Sequence, residues 1–451
     1  MIKAMKFGGT SVGSEMALVN LTKIVSIDRA RKALVVSAMS GVTNTLIAWM
    51  KEPGPSDELL ETLRSKHLDA VRNLINEAQL DDLETKLRVR LSGLRQAIER
   101  FGDPTSREMM NDTIASWGER LSSVTVAALL KANGVDAVAM TSEEAGIACT
   151  GAFGSGTADL EATQRNFAKN VLPLMEKGKT PVITGYYGCD LYARPVTFGR
   201  GGSDYSGAVV GYAINASTIE IWTDVDGFMT ADPRIVPQAQ NLAEMDYEEA
   251  AELAYFGAKV LHPRTIEPAR RKKIAVMVKN TFNPEHRGTK IHELKRGSGK
   301  MLKSVAMKPD LSIVKVYSSE IAYRPELVTE LLDAINRQGT MAFAISTSLS
   351  TLALAVPSGE VNGICERLHA LRNGQVEKLT IRQDVALVCA VGDDMLNTKG
   401  VAAEVFRVTA DIGANIEMIS EGASDVALNF VVPANKAVEV VRKLHKNYIG
   451  G

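Results

Sequence analysis

Short apolar runs bounded by glycine or polar residues alternate with helical stretches along the first 290 residues. The runs are ALVVS at 33–37, TPVITG at 180–185, STIEIW at 217–222 and IAVMV at 274–278. Such runs between helices are typical of a parallel sheet that is covered on both faces. Residues 57–133 differ, because Leu, Ala, Glu and Arg recur there with helical spacing and few breakers. The pattern predicts an α/β domain over 1–290, with a mostly parallel sheet sandwiched by helices and a largely helical segment at 57–133.

A polar, basic linker at 291–300 separates this domain from a duplicated region. Residues 327–346 can be laid over residues 401–420 without a gap, and Glu, Gly, Ile and Ser coincide at matching places. Each copy has the pattern strand, helix, strand, strand, helix, but only the first copy continues into a further strand. The second copy therefore needs an edge strand from elsewhere, and 302–307 is available. We expect a nested βαββαβ pair, with 310–383 inserted into a domain made of 301–309 and 384–451.

Composition restricts the classes of partner. The 451 residues include 52 Lys and Arg against 53 Asp and Glu, and the net charge of -1 gives no general attraction to nucleic acid or to an anionic membrane. The four cysteines form no CxxC pair, which argues against a zinc site and a disulfide framework and suits a reducing compartment. No apolar run approaches the length of a bilayer span. We expect a cytoplasmic protein that holds any anionic ligand through local groups.

The segment MKFGGTSVGS at 5–14 is similar to a phosphate-binding loop with a displaced lysine. A Walker A loop requires its lysine where Ser14 stands, and the dinucleotide fingerprint also fails. A strand that carries Lys6, followed by Gly8, Gly9 and small hydroxyl residues that open a helix, still favours an anion through exposed N–H groups. A tight turn with a solvated lysine explains this stretch equally well when it is taken alone.

Three later stretches strengthen the case for a ligand site. FGRGGSDYS at 198–206 is a second glycine loop before an apolar helix, and its simplest alternative role is a helix N-cap. TDVDGFMTADPR at 223–234 follows a buried strand, where α/β sheets gather ligands, although turns alone also account for it. ELAYFGAKVLHPRT at 252–265 contains a lysine after two small residues, and its His262 taken alone favours a structural role.

Together these stretches resemble the aspartate kinase family of the amino acid kinase superfamily. The resemblance covers essentially the whole chain and rests on KFGGTSV at 6–12, VVSAMSGVTN at 35–44, GERLSS at 118–123, GRGGSDYS at 199–206, WTDVDGFMTADPR at 222–234 and ELAYFGAKVLHPRT at 252–265. Loops of the GGSD type occur in other members of the superfamily, whereas their combination with KFGGTS and FGAKVLHP is specific to aspartate kinases. The C-terminal repeats resemble the two ferredoxin-like ACT domains that these enzymes carry for feedback control.

The resemblance implies ATP-dependent phosphorylation of the L-aspartate side chain to 4-phospho-L-aspartate, the first step of lysine, threonine and methionine biosynthesis. A carboxylate with a reference pKa of about 3.9 is already ionised at neutral pH and needs no general base. The reaction instead needs cancellation of charge between two anions. By resemblance, Lys6 neutralises the transferring phosphoryl group, and Asp204 keeps that lysine charged and aimed. These two are the candidate catalytic residues.

The same resemblance assigns the remaining site residues. Glu119 binds the α-ammonium of aspartate, and its carboxylates are held by Thr43, Arg200, Gly201, Gly202 and Ser203. The nucleotide is held by Lys6, Gly8, Gly9, Ser37, Thr223, Asp224, Met229, Arg234 and Lys259. Mg²⁺ is expected to bind through ATP oxygens and water, because it sheds its hydration shell reluctantly. The sequence shows no dedicated metal cluster.

The regulatory repeats depart from the family pattern. In the lysine-inhibited type, the first repeat carries an acidic residue where this chain has Phe343, and the duplicate keeps Glu417 at the matching place. A glycine common at the start of the first helix of the repeat is also missing from YRPE at 323–326. We expect weak or absent inhibition by lysine, or another amino acid effector. The stretch SEGAS at 420–424 resembles a contact that pairs ACT domains of two subunits, which predicts a homodimer or a larger oligomer.

Two other classes of protein stay open at this point. A kinase for acetylglutamate or glutamate shares the GGSD loop but lacks the tandem ACT repeats and the FGAKVLHP stretch. A non-catalytic amino acid sensor keeps the ACT repeats but has no reason to retain Lys6, Glu119, Arg200 and Asp204 together.

Overall fold

The computed structural model describes residues 1–102, 106–258, 260–294, 301–336, 341–370, 376–395, 397–420 and 424–450. These residues form two compact units. The first unit lies within 1–228, 241–251 and 260–294, and the second within 229–240, 252–258 and 301–450. Two segments of the range predicted for the catalytic domain, 229–240 and 252–258, therefore belong to the second unit. Most of the predicted linker, 295–300, lies outside the described residues.

An eight-stranded sheet forms the centre of the first unit, in the order β10-β12-β11-β9-β1-β2-β6-β3. Its strands are β1 (Ile2–Phe7), β2 (Arg31–Val36), β3 (Ala137–Met140), β6 (Thr180–Thr184), β9 (Thr218–Thr223), β10 (Glu244–Met245), β11 (Ala275–Asn280) and β12 (Thr289–Ile291). Two hairpins stand apart from it and consist of β4 (Cys149–Thr150) with β5 (Thr157–Ala158), and β7 (Tyr187–Cys189) with β8 (Pro195–Thr197). Neighbours in the large sheet run parallel except β11 and β12. The mostly parallel sheet expected from the apolar runs is confirmed.

Helices connect these strands. They are α1 (Glu15–Ile27), α2 (Val42–Lys51), α3 (Ser56–Asp69), α4 (Glu77–Glu99), α5 (Arg107–Ala115), α6 (Trp117–Ala132), α7 (Ser142–Ala145), α8 (Leu160–Asn170), α9 (Leu172–Glu176), α10 (Gly202–Ala213), α11 (Tyr247–Phe256) and α12 (Ile266–Arg271). The longest, α4, begins with a capping box between Asn76 and Gln79. It buries Leu83, Leu87 and Leu91 at a spacing of four, so one apolar face packs into the core. The helical character predicted for 57–133 follows from this pattern.

The second unit is built on an antiparallel sheet in the order β14-β15-β13-β16-β18-β17. Its elements are β13 (Ser304–Tyr317), α13 (Pro325–Asn336), β14 (Ala344–Thr347), β15 (Thr351–Pro357), α14 (Val361–Ala370), β16 (Lys378–Val391), α15 (Val401–Asp411), β17 (Met418–Ser420), β18 (Ala427–Pro433) and α16 (Ala434–Tyr448). The long strands β13 and β16 each serve two cores. One core lies under α13 and α14, and the other under α15 and α16.

Each long strand changes core at an aspartate with positive φ, at Asp310 (φ 60°) and Asp384 (φ 55°). The β13 register against β16 shifts at this point, as at a β-bulge. Before the shift, Ser304 to Lys308 pair with Val391 to Leu387, and after it β13 also pairs with β15. This is the edge-strand pairing that a nested arrangement requires. The exact domain boundaries given above stay a prediction.

No helix in the described ranges combines the length and the apolar character needed to cross a lipid bilayer.

Candidate active site

Lys6 lies on the central strand of the first unit, close to the carboxyl edge of the sheet. It pairs in register with Val35 on β2 and Ile221 on β9, and its side chain is buried. The neighbouring Phe7 stacks on Trp222 with ring centroids 6.0 Å apart, and this packing helps to fix the position of Lys6 along the strand. Ligands of open α/β sheets bind at this edge. The strand therefore delivers a buried ammonium group to the place where a ligand is expected.

The Lys6 ammonium forms an ion pair with Asp204, in the first turn of α10. Helix α10 approaches β1 closely at Gly207, where a Cβ would lie 2.8 Å from the Cβ of Lys6. The paired carboxylate supplies an opposite charge beside the buried ammonium and so offsets part of the cost of its burial. The structure thus brings together the two residues proposed as catalytic.

The first glycine loop follows Lys6 and uses part of its backbone internally. The Gly8 N–H donates to the Trp222 carbonyl at 3.0 Å, so it is not available to a phosphate in this geometry. A Cβ on Gly8 would lie 3.5 Å from the Lys6 ammonium, and one on Gly9 only 2.9 Å from the Ala38 carbonyl. Glycine therefore keeps the approach to Lys6 free. The loop ends at Ser14, which caps α1 by accepting from Ala17 N–H.

The second glycine loop leads into α10. Gly199 (φ 73°) and Gly201 (φ 71°) adopt left-handed conformations that favour glycine. Gly202 and Ser203 start the helix and are buried, whereas Arg200 is exposed and forms no ion pair with any described residue. The loop therefore presents a free guanidinium together with the amino end of a helix, which is a suitable place for a carboxylate.

Glu119 is a buried carboxylate beside this loop. Its Oε1 accepts from Ser203 Oγ at 3.5 Å and the carboxylate accepts from Ala38 N–H, but Oε2 has no hydrogen-bond partner within the described chain. Burial raises the pKa of Glu119 to about 8, and these hydrogen bonds together with the charge of Lys6 offset only part of that rise. A buried acid with an unpartnered oxygen is a ready site for a cation.

The turn between β2 and α2 closes the other side of Glu119. A Cβ at Gly118 would lie 2.6 Å from the Ala38 Cβ and 3.6 Å from Thr43 Oγ1, so α6 packs tightly on this turn. Ser37 N–H donates to the Phe7 carbonyl at 3.1 Å, which places Ser37 beside the end of β1 at the same edge of the sheet. The structure therefore gathers Ser37, Thr43 and Glu119 around the ends of β1 and β2.

The predicted nucleotide residues are only partly gathered at this edge. Thr223 ends β9, the neighbour of β1, and its Oγ1 donates to the exposed Asp224 at 3.2 Å. Met229 and Arg234 belong to the second unit, and the Arg234 guanidinium binds Asp232 through Nη2 at 2.6 Å and Nε at 3.0 Å. Lys259 lies outside the described residues. Their nucleotide role stays a prediction.

Two neighbours of the site were not found from the sequence. Tyr186 follows β6 with a positive φ of 75°, and burial together with the nearby Glu119 charge raises the pKa of its hydroxyl to about 12. Lys279 places its ammonium 4.8 Å from the centre of the Trp222 ring. A non-glycine residue of positive φ at a strand end is a feature of many functional sites, but the sequence around Tyr186 gives no sign of it.

No group of three or more His, Cys, Asp and Glu side chains that suits a metal ion occurs in the described ranges. The cations and anions of the site are instead Lys6, Arg200, Glu119 and Asp204. Such a site can bind an anion and an ammonium group side by side, and can stabilise charge that moves between two anions.

Comparison with known proteins agrees with this chemistry. A model of the amino acid kinase family matches residues 1–280, and a model of the ACT domain matches residues 388–448. The chain is 30% identical to lysine-sensitive aspartokinase 3 of Escherichia coli (strain K12), over 99% of each chain. Its structure is similar to that of E. coli aspartokinase III with aspartate and ADP, with a TM-score of 0.84, 31% identity and 99% of each chain covered. The same enzyme with lysine and aspartate gives a TM-score of 0.82 at 30% identity, over 100% of this chain and 99% of the other.

Proposed function

The chain belongs to the amino acid kinase family as an aspartokinase with ACT domains, and from this premise we propose how its residues perform the reaction. The chain is an aspartate kinase, which transfers the γ-phosphoryl group of ATP to the side-chain carboxylate of L-aspartate. Its full-length similarity to aspartokinases does not favour an acetylglutamate or glutamate kinase, or a non-catalytic sensor.

The observation that carries the assignment of residues is the contrast between two buried ionisable groups at one sheet edge. Lys6 is a cation already paired with Asp204, and Glu119 is an acid with one oxygen unpartnered. We assign the α-ammonium of aspartate to Glu119 and its carboxylates to Arg200, Ser203 and the neighbouring loop backbone. The aspartate side chain then points along the loop towards Lys6.

The aspartate side chain is the nucleophile and is ionised at neutral pH, so the protein does not have to remove a proton. Its task is to hold two anions together and to neutralise the transferring group. Lys6 supplies the positive charge, and Asp204 keeps its ammonium aimed. Gly8 acts through the space it leaves beside Lys6 rather than through its N–H, which is bonded to Trp222.

Magnesium fits this site as a companion of ATP. The described residues offer no carboxylate cage, and Mg²⁺ commonly keeps water and phosphate oxygens as its ligands. When bound, the ion would supply further charge neutralisation at the phosphates. Thr223 and Asp224, at the end of β9, are the described polar side chains we propose for the nucleotide side. We also propose a cytoplasmic location, in agreement with four free cysteines.

The substrate assignment is tested by trapping the product with hydroxylamine, which converts an acyl phosphate to a hydroxamate. We expect ATP-dependent hydroxamate with L-aspartate and none above background with L-glutamate or N-acetylglutamate. N-acetylglutamate has no free ammonium group for Glu119 to bind, and the side chain of glutamate is one methylene longer than that of the substrate of the aspartokinases that this chain resembles over its full length. A Lys6→Ala variant serves as the blank. Equal turnover of glutamate would contradict the assignment.

We further propose that free lysine is a weak effector or none. Within the second unit, the Phe343 ring carries the ammonium of Lys308 at 4.6 Å from its centre and packs on Tyr255 at 5.5 Å. The matching acid in the duplicate, Glu417, is paired with Arg382 at 3.3 Å. The chain's own cations thus occupy both positions. A ligand ammonium would have to displace an internal contact worth about 0.5–2 kcal/mol.

Lysine at about 10 mM is therefore expected to leave the aspartate kinase rate within about twofold of its value without effector. A panel of the other amino acids, assayed in parallel, reports any different effector. Strong inhibition by lysine well below 1 mM, roughly the range in which a buried ammonium site would saturate, would refute this proposal.

Association through the ACT domains remains our proposal for the oligomer. Ile345 on β14, Ile381 on β16 and Ile419 on β17 are exposed apolar residues of the regulatory sheet. Exposed apolar residues on one sheet are frequent in subunit contacts. Most of the stretch SEGAS, at 421–423, lies outside the described residues. Sedimentation velocity measures the state, and a monomer at micromolar concentration would exclude pairing.

A further inference from the structure

A short turn, Pro263–Thr265, packs against α10, the helix that follows the second glycine loop. His262, which precedes the turn, and Arg264, within it, contact that loop, and we call this pair of residues the loop clamp. The two clamp residues are joined to each other, because His262 Nδ1 accepts from Arg264 N–H at 3.3 Å. Neither residue has a role in the reaction described above.

Arg264 forms a hydrogen bond to the residue that precedes the loop. Its Nη1 donates to the Phe198 carbonyl at 2.9 Å, and Phe198 is the residue before the loop starts at Gly199. Its Nη2 donates to the Gly156 carbonyl at 2.7 Å and to Thr157 Oγ1 at 3.1 Å. One guanidinium thus ties the loop to the β4–β5 hairpin. The planar fork of arginine suits such a double attachment, and lysine cannot reproduce it.

The same guanidinium also reaches the end of the loop. It lies 4.5 Å from the centre of the Tyr205 ring, and Tyr205 directly follows Asp204. The Tyr205 hydroxyl accepts from Ala158 N–H at 3.3 Å, so this ring is itself fixed to the β4–β5 hairpin. Arg264 therefore bridges the two ends of the segment that presents Arg200, Ser203 and Asp204.

His262 acts on the middle of the loop. A Cβ at Gly201 would lie only 2.3 Å from the Cβ and Cγ of His262, so the imidazole rests directly on the loop backbone. Gly201 has a positive φ and immediately precedes α10. The contact fixes the direction in which α10 begins. That direction sets where Ser203 and Asp204 point.

We propose that the loop clamp positions the second glycine loop, to which we assign aspartate binding, with Arg264 as the main positioning residue. The inference rests on the proposed site, because the clamp matters only if the loop binds aspartate and aims Lys6. Neither clamp side chain is assigned a contact with substrate. Their effect is transmitted through backbone carbonyls and the Tyr205 ring, which hold the loop to the accuracy that catalysis needs.

The surroundings of Arg264 allow a direct test of its charge. Arg264 lines a cavity of about 470 Å³ together with Tyr205 and the acidic side chains of Asp159, Glu161 and Glu267. Removal of the Arg264 side chain should enlarge this cavity, and the acidic side chains that line it stay in place. Added guanidinium ion can enter there and bind the carbonyls that Arg264 leaves unpaired.

The experiment compares Arg264→Ala with Arg271→Ala. Arg271 lines the same cavity, but it is half exposed and pairs with Glu267 on its own helix. We expect Arg264→Ala to lower kcat/KM for aspartate by about 10- to 100-fold, since a displacement near 1 Å can cost that much. The affinity for ADP, measured by calorimetry, should stay within about twofold, because β1 and β9 hold the nucleotide side. Arg271→Ala should behave as the unmodified enzyme.

Guanidinium chloride at about 20 mM, far below denaturing concentrations, should restore activity to Arg264→Ala at least about fivefold and leave the control unchanged. A purely structural role would lower the melting temperature but would not give this rescue. A kcat/KM within about threefold of the unmodified value, or a loss that guanidinium leaves unchanged, would overturn the inference.

If Arg264→Ala does not fold, Arg264→Lys takes its place with the same readouts, because it keeps the charge but not the fork. Failure of the inference is distinct from failure of the proposed function. An unmodified protein without aspartate-dependent acyl phosphate overturns the function. An active unmodified protein with an unaffected Arg264→Ala overturns only the clamp.

Discussion

Replacement of Lys6 by alanine is expected to lower kcat by about 10³-fold or more, with the fold retained. The ammonium lies at the carboxyl edge of β1 and, among the site residues that the structure describes, is the buried cation, so we expect its charge in the transition state not to be replaced. Because the loss falls on the chemical step, KM for ATP should change far less than kcat. Steady-state kinetics with coupled detection of ADP measures both quantities.

Lys3→Ala is the matched control for this variant. Lys3 lies on the same strand, and its ammonium binds Asp28 and Glu220 (2.8 Å) rather than a residue of the site. It should lose stability without losing kcat, whereas Lys6→Ala should lose kcat. If Lys6→Ala keeps kcat within about tenfold of the unmodified value, the mechanism is wrong at its central residue.

Asp204 extends the same test. Asp204→Ala removes the partner of the Lys6 ammonium, and its loss in kcat should approach that of Lys6→Ala. The double variant should be hardly worse than either single one, since two residues that act as a unit are not additive. Multiplied losses would show that Asp204 acts independently of Lys6.

Four strands of the first unit, β2, β6, β9 and β11, could be predicted because each is an apolar run that ends at a glycine or a polar residue. The run predicted at 33–37 is observed at Arg31–Val36, and the run at 217–222 is observed at Thr218–Thr223. The position of Lys6 follows from the same reasoning, because the two glycines that follow Phe7 mark the end of the strand on which Lys6 lies. Local pattern therefore located one half of the site.

The division into units did not follow from the sequence. Ala231 and Val236 lie within a stretch that reads as part of the catalytic domain, yet they pack with Leu302 and Val305 in a core of the second unit. Apolar residues in a loop fit any core of suitable shape, so their partners depend on the tertiary fold. The same holds for 252–258, because its sequence pattern indicates a helix but does not indicate which core that helix packs against.

Contacts between distant residues were also beyond the sequence. Ser203 and Glu119 are 84 positions apart, and Arg264 and Gly156 are 108 positions apart. The resemblance to a family assigned Glu119 but could not reveal its unpartnered oxygen, and it gave Arg264 no role. The Gly8 N–H shows the opposite case, because the loop pattern suggested a phosphate donor and the fold directs that donor to Trp222.

Glu119→Gln is expected to weaken aspartate binding by about 10²- to 10³-fold at pH 8.5, because it removes a buried counter-charge to the substrate ammonium. The effect should shrink at lower pH. Burial raises the pKa of Glu119 to about 8 in the free enzyme, so at pH 6 the carboxyl is already neutral and must release its proton to pair with the ammonium. The KM for aspartate of the unmodified enzyme should therefore fall as pH rises from 6 to 8, and then level.

The ratio of KM between Glu119→Gln and the unmodified enzyme isolates this titration, since ionisation of substrate and of other groups affects both proteins alike. Glutamine keeps the shape and can accept from Ser203 as Glu119 does. The ratio should rise by up to about tenfold per pH unit and reach its plateau above pH 8. A ratio that is constant from pH 6 to 9 would show that the Glu119 carboxylate does not bind the ammonium of aspartate.

Without substrate, the ionisation of Glu119 should change the stability of the protein with pH in the direction opposite to its effect on aspartate binding. A folded-state pKa above the unfolded value of about 4.3 means that the folded protein binds the extra proton. The contribution of Glu119 to the free energy of unfolding is thus fully present at low pH and is lost as pH rises towards 8. Relative to Glu119→Gln, the unmodified protein should therefore become less stable to urea between pH 5 and 8, while its affinity for aspartate increases. A buried acid that serves binding rather than folding should produce these opposite trends in stability and affinity.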